Sequence, residues 1–131
     1  MSHDIKWLTE PIVMAMHERS LADHGGAASL RDKGLLEGAL AKPRHVASYG
    51  EPTLFDLAAA YVAGIGRAHA FVDGNKRTAF FAAYVFLGMN GYEIEADEAE
   101  AAAITIDVAT GNLTEADFAK WLKAVSHKVG A

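Results

Sequence analysis

The chain has no cysteine, which excludes disulfides, thiolate metal sites and a thiol nucleophile and leaves any chemistry to oxygen and nitrogen. It has no apolar run near the roughly eighteen residues that a membrane span needs. Met1 to Glu10 also lack the basic-then-apolar layout of a signal peptide, so a soluble, cytoplasmic protein with no membrane partner is expected. Proline (3) and glycine (12) are too sparse for a low-complexity chain. Positive charge is short as well: 12 Lys and Arg stand against 17 Asp and Glu, a net charge of −5. Binding driven by counterion release has little to work with at that balance, and no direct nucleic-acid binding is expected.

What is present is apolar residue, 51% of 131. That is enough for one core in a chain too short for two, so residues 1–131 read as a single domain. Charge is unevenly spread. Glu93, Glu95, Asp97, Glu98 and Glu100 fall together with no basic residue between them, whereas the stretch from Arg67 to Arg77 sets Arg67, Lys76 and Arg77 against Asp73 alone. The local positive balance fits either an anion site or a solvated face.

Helical spacing runs through nearly the whole chain. Ile12, Val13, Met16 and Leu21 define a helix from Thr9 to about His24, with Thr9 as cap, Pro11 in the first turn and Gly25-Gly26 as the stop. A second helix starts at Asp32, uses Leu35, Leu36, Ala39 and Leu40, and is expected to end before Pro43. A capping box from Thr53 to Asp56 opens a third, running to about His69. The segment from Asn75 to Leu87 is apolar nearly all round and reads as the buried central helix, ended by Asn90-Gly91. Asp97 or one of its neighbours caps a fifth helix to about Thr110, and Thr114 with Asp117 forms a second capping box for a last helix through Phe118, Trp121, Leu122 and Val125. The strand candidates are the short pieces Lys6 to Leu8 and Tyr92 to Glu95. The expected fold is all-α, about six helices around a buried central helix with at most a short hairpin or strand pieces.

The stretch His69-Ala-Phe-Val-Asp-Gly-Asn-Lys-Arg-Thr78 is a polar island between two apolar helices. It reads as a loop that delivers its groups to the N-terminus of the buried helix, where unpaired N–H groups and the positive end of the helix dipole favour an anion. Gly74 permits close approach to the backbone, and Lys76 and Arg77 add full charges. Asp73 could hold a divalent cation bridging phosphate oxygens, and His69 could take a proton from an incoming hydroxyl. The parts of a phosphoryl-transfer site are all there. The same residues also fit a plain turn and cap, with Lys76 and Arg77 as first-turn surface cations and His69 as a hydrogen-bonded helix-end histidine.

That stretch resembles the signature of the Fic/Doc family, His-x-Phe-x-(Asp/Glu)-Gly-Asn-(Gly/Lys)-Arg, and in particular its Doc (death-on-curing) branch, the toxin half of Phd/Doc toxin–antitoxin systems. Leu30-Arg-Asp-Lys-Gly-Leu-Leu-Glu-Gly-Ala-Leu-Ala-Lys-Pro43 is similar to a stretch common in that branch, and Asn90-Gly91-Tyr92 also fits. Adenylylating members carry a second Gly after Gly-Asn and a second Arg three residues after the first. This chain has Lys76 and Phe80 at those positions. The resemblance therefore implies ATP bound with its γ-phosphate at the anion site and phosphoryl transfer to a threonine of elongation factor Tu, which stops translation. By the same resemblance His69 is the general base, and Asp73 sits on Mg²⁺ or the incoming hydroxyl. Gly74, Asn75, Lys76 and Arg77 surround the phosphates, with Arg67 assisting. Ala70 departs from the Pro or Ile often found after the histidine, which touches loop shape rather than chemistry.

Self-regulating members carry an inhibitory Ser/Thr-x-x-x-Glu-Gly or Asn motif. Lys33-Gly-Leu-Leu-Glu-Gly38 has the ending but Lys33 in place of the hydroxyl residue, so inhibition is expected in trans, from a Phd-type antitoxin whose C-terminal segment orders in an apolar groove. Ile12, Met16 and Leu36 are candidate walls of that groove, although ordinary core is the plainer reading of each. Arg44, His45 and Tyr49 fall in the expected connection before Thr53, where family members dock the target, or in an ordinary loop. His3, His24 and His127 lie near ends and are expected in solvent, as is His17 on the first helix. An adenylylating enzyme, a catalytically silent antitoxin-binding module and, more remotely, a metal-dependent phosphohydrolase are the competing readings.

Overall fold

The computed structural model describes residues 4–26 and 30–129. Six helices follow one another: α1 (Glu10–His24), α2 (Lys33–Ala47), α3 (Leu54–Ala68), α4 (Asn75–Met89), α5 (Glu98–Thr110) and α6 (Glu115–Val125). Strands β1 (Tyr92–Ile94) and β2 (Ser126–Lys128) pair antiparallel with Glu93 opposite His127. The architecture is all-α with one short two-stranded ribbon, whose strands are separated in the chain by α5 and α6. Among the described residues no helix is long and apolar enough to cross a membrane. His3 and the side chain of His24 lie outside the described residues.

Most helix starts are set by the residues that cap them. Thr53 and Asp56 close a reciprocal box at the head of α3, with Asp56 N donating to Thr53 Oγ1 at 3.1 Å and Thr53 N to Asp56 Oδ2 at 2.8 Å. Asp32 accepts from Leu35 N at 3.0 Å and Asp97 from Glu100 N at 3.0 Å. At α6 only half of the expected box forms: Thr114 Oγ1 accepts from Asp117 N at 3.1 Å. Thr9 takes the cap position of α1 without a side-chain bond.

The expected end of α2 before Pro43 is overturned, because the helix continues to Ala47 with Pro43 buried inside it. Pro43 has no N–H for the Ala39 carbonyl. The helix α3 backs directly onto that carbonyl: a Cβ at Gly64 would lie 3.4 Å from Ala39 O. Packing against α3 holds the turn together where local propensity would end it. Lys6 to Leu8 forms no strand; Asn90 ties Lys6 at both its N–H and its carbonyl, at 2.9 Å each.

The helices α3 and α4 share the centre, α3 more deeply. Every residue from Leu57 to Ala63 is buried, as are Ile65 and Gly66, whereas Phe80, Phe81, Tyr84 and Val85 of α4 remain half-buried. Phe86 and Leu87 complete the core with Leu8, Val13, Met16, Leu36, Phe71, Phe118 and Leu122. Met16 and Leu36 are thus core residues, at 8% and 0% exposure, not walls of an open groove.

Candidate active site

The connection from α3 to α4 is short, and its backbone is pinned almost atom by atom. Ala70 and Phe71 are buried, at 2% and 1% exposure, which pulls the middle of the loop into the core. His69 caps α3 in the left-handed region, φ 51° and ψ 43°, the one non-glycine residue with positive φ among those described. Its carbonyl accepts from Arg31 Nε at 2.8 Å and Nη2 at 2.5 Å. The Ala70 carbonyl accepts from the backbone N–H groups of Arg31 and Asp32, at 2.6 and 2.9 Å. Asn75, itself buried, closes a ring with Phe71: Phe71 N donates to Asn75 Oδ1 at 3.0 Å and Asn75 Nδ2 to Phe71 O at 2.9 Å. The Asp73 carbonyl is held at 2.7 Å by His17 Nε2, which therefore carries the proton. The His17 ring also stacks on Phe71, centroids 3.8 Å apart.

This corrects the expectation for His17, which is 3% exposed and braces the loop from behind. The signal was available in the sequence: Val13, Met16, His17 and Ser20 are the buried stripe of α1, at helical spacing. Arg31 is the second brace, and nothing in charge or periodicity marks it.

Gly74 then starts α4 from the left-handed region, φ 79°. A Cβ there would meet His17 and Arg77 at 3.5 to 3.6 Å, ordinary contact, so the positive φ rather than space favours glycine. By position the N–H groups at the start of α4 have no intrahelical acceptor, and the helix dipole is positive there. Arg77, in the first turn, reaches back to α1, with Nε on Ser20 Oγ at 3.1 Å and Nη2 on the Gly25 carbonyl at 3.2 Å. Lys76 is half-buried and borders a cleft of about 470 Å³ whose walls include Phe80, Phe81, Tyr84, Glu98 and Thr105. Phe80 meets Tyr84 edge-on. Burial, and then the charge of Glu98, raise the Tyr84 phenol above its ordinary value, so Tyr84 stays a neutral hydroxyl in that wall.

His69 and Asp73 are both exposed on the loop. The His69 ring has no hydrogen-bond partner among the described residues, and Asp73 lies against the chain after α1, where a Cβ at Gly26 would come within 3.2 Å of its own Cβ. His69, Asp73, Gly74, Asn75, Lys76 and Arg77 are thus one continuous structure. Asn75 spends its side chain on the loop, which leaves its backbone N–H as the group at the helix start. The Arg67 side chain has partners of its own: it donates to the Val108 carbonyl at 2.7 Å and pairs with Glu115 at 3.4 Å, where Lys42 also pairs at 2.9 Å. Arg44 and His45 belong to the last turns of α2 rather than to a loop, Arg44 lying over Trp7 at 5.2 Å. Tyr49 follows them, meets His45 edge-on and is 67% exposed.

The sequence profile of the Fic/DOC family matches residues 7–87, which takes in α1 to α4 as far as Leu87 and the whole pinned loop. A protein of Mycolicibacterium smegmatis named Toxin Doc is 49% identical over 76 residues, 56% of this chain and 58% of that one. The chain therefore spans little more than half of that relative. A protein of Escherichia phage P1 named Protein kinase doc is 33% identical over 112 residues, 85% of this chain and 88% of the other. With the profile covering the loop, the helix it feeds and the helices that brace it, and a relative aligned over most of both chains, this chain belongs to the Fic/DOC family.

Proposed function

We propose that the protein is the toxin of a toxin–antitoxin pair and transfers the γ-phosphoryl group of ATP to a threonine hydroxyl of elongation factor Tu, halting translation. The observation that carries this reading is the cleft beside Lys76. Lys76 and Arg77 both line it at the start of α4, and Phe80, Phe81 and Tyr84 line it further along the helix. A cationic end suited to phosphate thus adjoins an aromatic surface suited to a nucleoside. The names of the two relatives, one a toxin and the other a protein kinase, lend support.

Roles follow from placement. The first-turn N–H groups of α4, with Lys76 and Arg77, bind the γ-phosphate and neutralise the charge that spreads over its oxygens. His69, exposed and with no hydrogen bond to its ring among the described residues, takes the proton as the threonine oxygen attacks phosphorus. The bond from phosphorus to the β–γ bridging oxygen breaks, and ADP leaves with that electron pair. A Mg²⁺ ion fits this donor set, since one exposed carboxylate, Asp73, beside phosphate oxygens is how that ion is commonly held; when bound it supplies further charge neutralisation. Inhibition comes from a Phd-type antitoxin in trans. Of the groove residues expected for it, Ile12 stays half-buried at the surface.

Incubating the protein and elongation factor Tu with ATP labelled at either the α- or the γ-phosphate tests the reaction. Label from the γ-position alone supports it, and label from the α-position makes the protein an adenylylating enzyme.

A further inference from the structure

We propose that Arg31 is a positioning residue for His69: its guanidinium, closed on the His69 carbonyl, holds that residue in the left-handed conformation from which the imidazole acts. The inference rests on the reading of His69 as the base. A general base is ordinarily oriented by a hydrogen bond on its second ring nitrogen. The His69 ring has none among the described residues, so the direction of the imidazole is set by the backbone that carries it. That backbone, at φ 51° and ψ 43°, is one that side-chain-bearing L residues adopt at a cost and keep only where surrounding contacts impose it.

Arg31 supplies that constraint twice over. Its Nε and Nη2 converge on one oxygen, the His69 carbonyl, at 2.8 and 2.5 Å, and its own backbone N–H takes the next carbonyl, Ala70, at 2.6 Å. The adjacent residue Asp32 adds its N–H to Ala70 at 2.9 Å while its side chain caps α2. Leu30 pairs with Phe71 in an isolated antiparallel bridge. The entry to α2 is thus a short rail along which residues 69 to 71 are laid. Arg31 is exposed and makes no ion pair among the described residues, so its planar fork, rather than its charge, is what the site uses. A lysine ammonium is a single point donor and cannot reproduce two convergent N–H groups in one plane. The phosphate end of the loop is pinned separately, by Asn75 and His17, so the clamp governs the base and leaves the anion site alone.

The test uses the full chain with Arg31→Ala and Arg31→Lys. Turnover of the phosphoryl transfer should fall by about a hundredfold in Arg31→Ala, the scale of a small misplacement of a reacting group, with KM for ATP nearly unchanged and a partial return in Arg31→Lys. Independently of activity, the NMR signal of the His69 ring Cε1–H should shift or broaden in Arg31→Ala, while those of His17 and His127 stay in place. An unmoved His69 signal, or a loss carried by KM with turnover intact, overturns the clamp. If the wild type transfers no phosphoryl group at all, the reading of the reaction fails, and the His69 signal alone decides whether Arg31 holds the residue.

Discussion

Lys76 and His69 stand at opposite ends of one loop and do different work, so their substitutions should separate. In the proposed reaction Lys76 faces the transferring phosphate, and a contact of that kind is worth on the order of 3 kcal/mol, or about a hundredfold in rate. Lys76→Ala should lower phosphoryl transfer by that factor in a single-turnover assay. Lys76→Gly also clears the helix start, and mass analysis of its product should then show a trace of AMP transfer. His17 acts from behind. In His17→Leu the part-buried hydrogen bond to the Asp73 carbonyl is lost, a cost of about 1 kcal/mol that thermal melting will read. At this scale the sequence was half legible. The run from His69 to Thr78 stands out as a polar island between apolar helices, but its residues alone also fit a plain turn and cap, and only the family pattern separates the two readings. The braces do not stand out. His17 is disguised by its polarity although it shares a stripe with Val13, Met16 and Ser20, and Arg31 acts through a backbone atom, which leaves no trace in charge or periodicity. Arg67 shows the converse: a cation near the site in sequence whose side chain pairs with Val108 and Glu115.

Between elements, close packing decides what local rules cannot. The capping box of α3 and the Asp cap of α2 were legible because a cap is a contact between near neighbours in sequence. The passage of α2 through Pro43 was not, since what preserves the helix is α3 lying across Ala39 at Gly64. The second strand was missed for a related reason: Ser126 to Lys128 has no alternation of its own and is a strand because Tyr92 to Ile94 lies beside it. The approach of α3 to α5 gives a test. A Cβ at Gly66 would sit 3.0 Å from the Cβ of Ala109, a side chain on a neighbouring helix that cannot swing aside. Gly66→Val should therefore destabilise the fold by about 1–3 kcal/mol through overpacking, seen as a lower midpoint in urea, despite the better helix propensity of valine over glycine.

Across the molecule, α3 and α4 form a buried pair whose connection is the site, and α1 and the entry to α2 clamp that connection from two sides. A site built so firmly needs an external brake if its reaction is harmful. Expression of this chain alone should arrest growth of its host, and co-expression of a Phd-type antitoxin should restore it; unimpaired growth without the antitoxin counts against the toxin reading. The central claim is tested most directly by the intact mass of purified elongation factor Tu after incubation with ATP, Mg²⁺ and either wild type or His69→Ala. The account predicts a gain of one phosphate with wild type and none with His69→Ala, although that variant still binds ATP. A gain of AMP, or an unchanged mass with wild type, would contradict it.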